Sequence, residues 1–115
     1  METITRDNKF GTIYTFKVVD KVPADYMVWN VSEEFMDGYI AFYQPAHDAP
    51  HMINRDTLLA VKVDDINVRR LVGNATGLYS IDNVKHAKRW INSNNVERKT
   101  IAERVLPIYE AWTES

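Results

Sequence analysis

Hydrophobic and polar residues alternate through the first half of the chain, which is the pattern of half-buried β-strands. Residues 11–19 are rich in β-branched and aromatic types, and Tyr14 and Phe16 fall on one face of the predicted strand. Residues 26–31 and 39–44 repeat the pattern after short polar segments. Because these three segments follow one another closely, the sequence favours an antiparallel sheet.

The next part of the chain is less regular. Residues 45–56 contain two prolines, so we expect a loop there. Residues 57–63 fit both a strand and a short helix, and the alternation of Leu59, Val61 and Val63 favours the strand.

The period of the hydrophobic positions changes in the second half, where it becomes helical. The predicted helices cover residues 66–72, 81–91 and 95–112. Gly73 would end the first helix and Ser80 would cap the second. Pro107 falls inside the third helix, and a proline there removes one backbone hydrogen bond, so we expect a kink or a restart near Leu106.

Strands followed by helices are typical of the α+β class. We therefore predict one α+β domain over residues 1–115. It consists of a small antiparallel sheet of three to four strands in the N-terminal half, followed by about three helices packed on one face. The length of 115 residues suits a single domain.

The amino-acid composition excludes several kinds of functional site. The absence of cysteine excludes disulfides, zinc–thiolate sites and cysteine nucleophiles. No hydrophobic run approaches the roughly 18 residues of a membrane helix, and the first residues lack the hydrophobic run of a signal peptide. We therefore predict a cytoplasmic protein with no membrane partner.

The net charge of −2 conceals an asymmetry. Residues 1–58 hold nine acids and five bases, a net charge of −4, whereas residues 59–115 hold nine bases and seven acids, a net charge of +2. The strand-rich half is therefore acidic and the helical half mildly basic.

The segment after the third predicted strand contains the side chains most suited to metal binding. Neutral imidazoles and carboxylates both bind zinc and other divalent metals. The candidate ligands are His47, Asp48, His51 and Asp56. A metal-dependent, hydrolase-type activity at this segment is one alternative function, and no other cofactor is predicted.

The basic residues of the second half form another candidate site. Residues 83–104 contain six bases and two acids, and Lys85, Lys88 and Arg89 share one face of a predicted helix. A helix, a polar turn and a second helix also outline a nucleic-acid-reading motif. The candidate nucleic-acid-binding residues are Lys85, Lys88, Arg89, Arg98 and Lys99.

Aromatic residues on adjacent predicted strands suggest a protein interface. In the strand 39–44, Ile40 and Phe42 face the core, which leaves the opposite face to Tyr39 and Tyr43, with Trp29 on the preceding strand. No catalytic motif accompanies them. The leading prediction is a small non-enzymatic binding or regulatory module that acts through protein–protein contacts or self-association, with a homodimer as the commonest assembly.

Overall fold

Residues 2–114 form a five-stranded sheet and four helices. The computed structural model describes residues 2–114, so Met1 and Ser115, the ends of the predicted domain, lie outside the described residues. The strands are β1 (Thr3–Asp7), β2 (Ile13–Val18), β3 (Met27–Val28), β4 (Tyr39–Ala46) and β5 (Ala49–Lys62). The helices are α1 (Glu33–Met36), α2 (Ile66–Tyr79), α3 (Val84–Ile91) and α4 (Val96–Trp112). The predicted α+β class is confirmed.

The sheet is mixed, and the prediction of three to four antiparallel strands is wrong in two respects. The strand order is β1-β2-β5-β4-β3, and β2 pairs with β5 in parallel while the other neighbours are antiparallel. Three elements, β3, α1 and β4, lie between β2 and β5 in the chain. Strand β5 therefore runs parallel to its neighbour β2, whereas neighbouring strands of a simple meander are antiparallel. Strand β1, which the sequence pattern did not predict, is a short edge strand in which Ile4 is the one hydrophobic residue among five.

The loop predicted over residues 45–56 is wrong, because these residues continue β4 and begin β5. The two strands form a long hairpin whose turn is His47 and Asp48, with Ala46 opposite Ala49. β2 pairs with β5 only further along, at Leu59 and Ala60, so the first part of β5 lies at an edge of the sheet. Prolines are tolerated at such an edge because no neighbouring strand needs their missing N–H.

A bulge separates the outer part of this hairpin from the central sheet. The pairing moves from Phe42 opposite Leu59 to Gln44 opposite Asn54, so β5 contains extra residues here. The Thr57 hydroxyl accepts a hydrogen bond from the Gln44 N–H at 2.8 Å and donates one to the Asn54 carbonyl at 2.6 Å. This side chain thus replaces the backbone partner that the bulge removes.

Both faces of the sheet are covered, by different elements. Helices α2, α3 and α4 cover the first face, where the buried residues are Val28, Ile40, Phe42 and Val61 of the strands and Val63 just after β5. The short helix α1 lies on the second face, where the buried residues are Phe16, Met36, Ala41, Leu58 and Ala60. The prediction of three helices on one face therefore holds for α2–α4, and α1 is an addition on the other face.

Two helix boundaries differ from the predicted ones. Helix α2 passes through Gly73 and ends at Tyr79, because Val72 and Ala75 are both buried against the core and hold the helix together through the glycine. Ser80 is the left-handed end of α2, with φ of 56°, rather than the cap of the next helix. Asn83 caps α3 instead, since its side chain accepts a hydrogen bond from the His86 N–H.

The restart predicted near Leu106 is absent, and α4 runs unbroken through Pro107. Pro107 and Glu103, whose carbonyl loses its helical partner, both lie on the exposed side of the helix. Water can therefore satisfy that carbonyl. Within residues 2–114, none of the helices is both long enough and hydrophobic enough to cross a membrane.

One buried hydrogen bond ties α4 to the segment that connects α2 with α3. The Tyr109 hydroxyl donates to the Ile81 carbonyl at 2.6 Å, and both residues are fully buried. Burial also raises the pKa of Tyr109, so the phenol stays protonated and remains a donor at every working pH.

We expect Tyr109→Phe to lower the free energy of unfolding by about 1–3 kcal/mol, because the buried Ile81 carbonyl loses its partner. Urea denaturation measures the change. Tyr79→Phe is the matched control, since the Tyr79 hydroxyl bonds Glu97 at an exposed position and its loss should cost much less. If the two variants lowered the free energy of unfolding equally, the buried Tyr109 hydrogen bond would contribute no more to stability than the exposed one of Tyr79.

Candidate functional site

An open concave surface lies on the second face of the sheet. It is a cavity of about 640 Å³ between the β1–β2 turn and α1. We call it the aromatic groove, and its hydrophobic lining is Phe10, Tyr14, Trp29, Val31 and Phe35. A cavity of this size, lined by hydrophobic side chains, is typical of a binding site.

Three rings of the groove pack edge to face. The ring centres of Tyr14 and Trp29 are 5.1 Å apart at 69°, those of Tyr14 and Phe35 are 6.0 Å apart at 80°, and those of Trp29 and Phe35 are 6.1 Å apart at 73°. Such pairs gain energy beyond their buried area. The rings therefore hold one another in place before any ligand arrives.

The backbone around the groove is fixed by local hydrogen bonds. The Trp29 N–H donates to the Ala41 carbonyl at 2.8 Å, which continues the β3–β4 pairing and anchors the indole. Ser32 caps α1 by accepting from the Phe35 N–H at 3.1 Å, as its sequence position suggests. After α1 the chain turns through Asp37 and Gly38, with φ of 42° and 93°.

The β1–β2 turn holds Phe10 away from the body of the protein. The Asn8 side-chain oxygen accepts hydrogen bonds from the N–H groups of Phe10 and Thr12, both at 2.9 Å. Gly11 has φ of 79°, which other residues rarely adopt. Phe10 is 91% exposed although it borders the groove, so a rigid turn presents a large hydrophobic side chain to solvent.

The rim of the groove carries charges of both signs. Arg6 and Lys9 are cationic, and Asp7 and Glu34 are anionic. Arg6 also places its guanidinium 5.7 Å from the ring centre of Tyr39. The rim is therefore electrically balanced rather than selective for one sign of charge.

A second cavity, of about 350 Å³, lies between α1 and the first half of α2. Trp29 and Val31 border both cavities and separate them. Arg69 pairs with Glu33 at 2.8 Å and donates to the Val63 carbonyl at 2.6 Å. These contacts tie α2 to α1, so Arg69 and Glu33 have a structural role.

A titratable pair lies at the start of α3. Asp82 and His86 are hydrogen-bonded through the carboxylate and Nδ1, and the Asp82 carbonyl accepts from the Val28 N–H of the edge strand β3 at 2.8 Å. Burial raises the pKa of Asp82, while the nearby His86 and Arg89 act in the opposite direction. Burial therefore disfavours the ionised form of the Asp82 carboxyl at the junction of α3 and the sheet.

The structure does not bring the predicted metal ligands together. His47 and Asp48 form the hairpin turn, whereas His51 and Asp56 lie on β5, on opposite sides of Asn54 where the bulge begins. Within the described part of the chain, no three His, Asp or Glu side chains are close enough to hold a metal ion. The metal-dependent hydrolase therefore has no geometric support.

The predicted interface residues share the second face but not one site. Trp29 lines both cavities, whereas Tyr39 lines only the smaller one and lies under the Arg6 guanidinium. Tyr43 contacts Met27 and sits near Asp82, and burial, followed by the Asp82 charge, raises its pKa. Alternation placed Tyr39 and Tyr43 on one face of their strand, and the pairing of β3 with β4 adds Trp29 to that face.

The predicted nucleic-acid-binding residues lie on α3 and on the first turn of α4. Lys85, Lys88, Arg89 and Lys99 are exposed, and Arg98 is half-buried against Trp90. The structure therefore keeps all five on two consecutive helices joined by residues 92–95.

The sequence pattern did not predict that Phe10, Tyr14 and Phe35 line one groove. Tyr14 belongs to a predicted strand and Phe35 to a single helical turn, but nothing in the local pattern brings them to Trp29. The Asn-Lys-Phe-Gly sequence at residues 8–11 is a recognisable turn signal that would expose Phe10. The convergence itself depends on α1 folding onto the second face.

Comparison with models of known protein families, with curated protein sequences and with solved structures found no match to this chain.

We expect the stability of the wild type relative to the Asp82→Asn variant to fall as the pH rises above about 3.8. Burial raises the pKa of this carboxyl in the folded state, so the folded protein binds more protons than the unfolded one, and stability falls with rising pH. Urea unfolding of the wild type and of Asp82→Asn at several pH values measures this difference.

Asp48→Asn is the control, because Asp48 is an exposed carboxylate in the hairpin turn. If the wild type instead became more stable than Asp82→Asn as the pH rose, attraction to His86 and Arg89 would outweigh the cost of burial.

Proposed function

We propose that the protein is a binding module that acts through protein–protein contacts at the aromatic groove, and that its partner there is a second copy of the chain. The observation that carries the proposal is Phe10, which a rigid turn holds 91% exposed at the edge of a hydrophobic groove. An exposed large hydrophobic side chain beside an open hydrophobic cavity marks an interaction surface.

The composition of the groove supports a protein partner. Trp, Tyr and Arg are the residue types that dominate the binding energy of protein interfaces, and Trp29, Tyr14 and Arg6 border this cavity. The edge-to-face packing of Tyr14, Trp29 and Phe35 keeps the rings in position, so these side chains lose little conformational freedom on binding.

The balanced rim supports a second copy rather than a strongly charged partner. In a two-fold dimer each surface meets itself, so a rim with two cations and two anions is complementary to its own copy. In such a dimer Phe10 of each copy would enter the groove of the other. The homodimer and the cytoplasmic location predicted from the sequence are both part of this proposal.

The two Phe10 side chains set the expected affinity. Each buried phenylalanine contributes roughly 1.5–3 kcal/mol, so the pair contributes roughly 3–6 kcal/mol to association. We therefore expect Phe10→Ser to raise the dimer Kd by roughly a hundredfold or more. Sedimentation equilibrium over a range of protein concentrations measures this Kd.

Leu78→Ser is the matched control, because Leu78 is also a large exposed side chain, at 71%, and lies on α2, which covers the opposite face of the sheet. At concentrations low enough for the wild type to be monomeric, both variants should have the wild-type Tm, since neither removes a contact that is buried within one chain. A wild type that stays monomeric at all soluble concentrations, or equal effects of the two substitutions, would overturn the proposal.

A further inference from the structure

The basic residues of α3 and α4 form a surface that the proposed dimer does not use. We call it the basic surface, and its residues are Lys85, Lys88, Arg89, Arg98 and Lys99. Lys85, Lys88 and Arg89 follow a helical spacing that places them on one face of α3. Residues 92–95 join α3 to α4, and Arg98 in the first turn of α4 lies against the same Trp90 ring as Arg89.

None of these five side chains forms an ion pair with a carboxylate among residues 2–114. This contrasts with Arg69, which is held by Glu33. Glu97, the acid nearest in sequence to Arg98, accepts a hydrogen bond from the Tyr79 hydroxyl instead. Arg89 attracts the nearby Asp82 carboxylate without forming an ion pair, and the other four cations remain available to an anionic partner.

Trp90 contacts two of the five cationic side chains through its ring. The Arg98 guanidinium lies 4.0 Å from a ring centre of Trp90, and the Arg89 guanidinium lies 5.5 Å away. Cation–π contact restrains these otherwise flexible side chains and links the end of α3 to the start of α4. The arginines are thereby held near a common ring before binding.

The charge is concentrated in one part of the chain. Residues 83–99 contain five bases and one acid, a net charge of +4, whereas the whole chain has a net charge of −2. The remaining residues therefore sum to −6. Such a separation favours attraction of a polyanion to this surface over a general attraction to the protein.

We propose that the basic surface binds the phosphate backbone of a nucleic acid. Its exposed part consists of long cationic side chains, and the face of Trp90 is occupied by a guanidinium, so the surface lacks the exposed aromatic core that a protein partner needs. A nucleic-acid strand presents one phosphate per nucleotide and can meet cations on both helices in succession.

The test measures binding of a fluorescein-labelled 20-nucleotide DNA, single-stranded and duplex, by fluorescence anisotropy at several salt concentrations. Five phosphate contacts predict a slope of log K against log salt of about −3.5 for the single strand and about −4.5 for the duplex. The triple variant Lys85→Ala/Lys88→Ala/Arg89→Ala should make the slope shallower by about 2–3.

The control is Lys17→Ala/Lys21→Ala/Lys62→Ala, which removes the same charge from three exposed positions on or near the strands. It should leave the slope unchanged. Undetectable binding at low salt, or equal losses for the two triple variants, would overturn the proposal. So would equal or tighter binding of polyglutamate or of anionic lipid vesicles, with the same sensitivity to the first triple variant.

This proposal and the proposed dimer fail separately. Phe10→Ser should leave the salt slope of a single protomer unchanged, because Phe10 lies on the β1–β2 turn and not on α3 or α4.

Discussion

The central strand β5 has to be buried on both faces, and most of the architecture follows from this requirement. Leu58 and Ala60 point to one side, while Val61 and Val63 point to the other. A sheet flanked on both sides by hydrophobic residues needs two covering layers. Helices α2–α4 supply one layer, and the second consists of the four-residue helix α1 together with aromatic side chains from the strands.

The unequal covering layers explain where the two candidate surfaces lie. Long helices seal the first face and carry the cations of α3 and α4 on their outer side. On the second face α1 is too short to cover the sheet, so Tyr14 and Trp29 complete the cover and leave the aromatic groove beside them. Because the two surfaces belong to opposite layers, a two-fold dimer formed through the groove would present two basic surfaces, and a long polyanion could engage both.

Much of the fold could be predicted because it depends on local periodicity. The strand of Tyr14 and Phe16, the strand over residues 57–63 and the helix that ends at residue 112 all follow from short-range patterns, and the structure confirms them. The parallel pairing of β2 with β5 could not be predicted, since it depends on which distant segments meet. The hairpin at His47 and Asp48 could not be predicted either, because prolines usually indicate a loop, whereas these prolines lie at an edge of the sheet.

The sequence by itself determined which side chains share a face and where charge accumulates. Alternation placed Tyr39 and Tyr43 on one face of their strand, and helical spacing placed Lys85 beside Lys88, because both are properties of a single element. The tertiary structure alone decided that Trp29 meets Tyr14 and Phe35, and that the candidate metal ligands stay apart. The first outcome depends on the docking of α1 on the second face and the second on the pairing of β4 with β5, and both are contacts between elements rather than properties of one element.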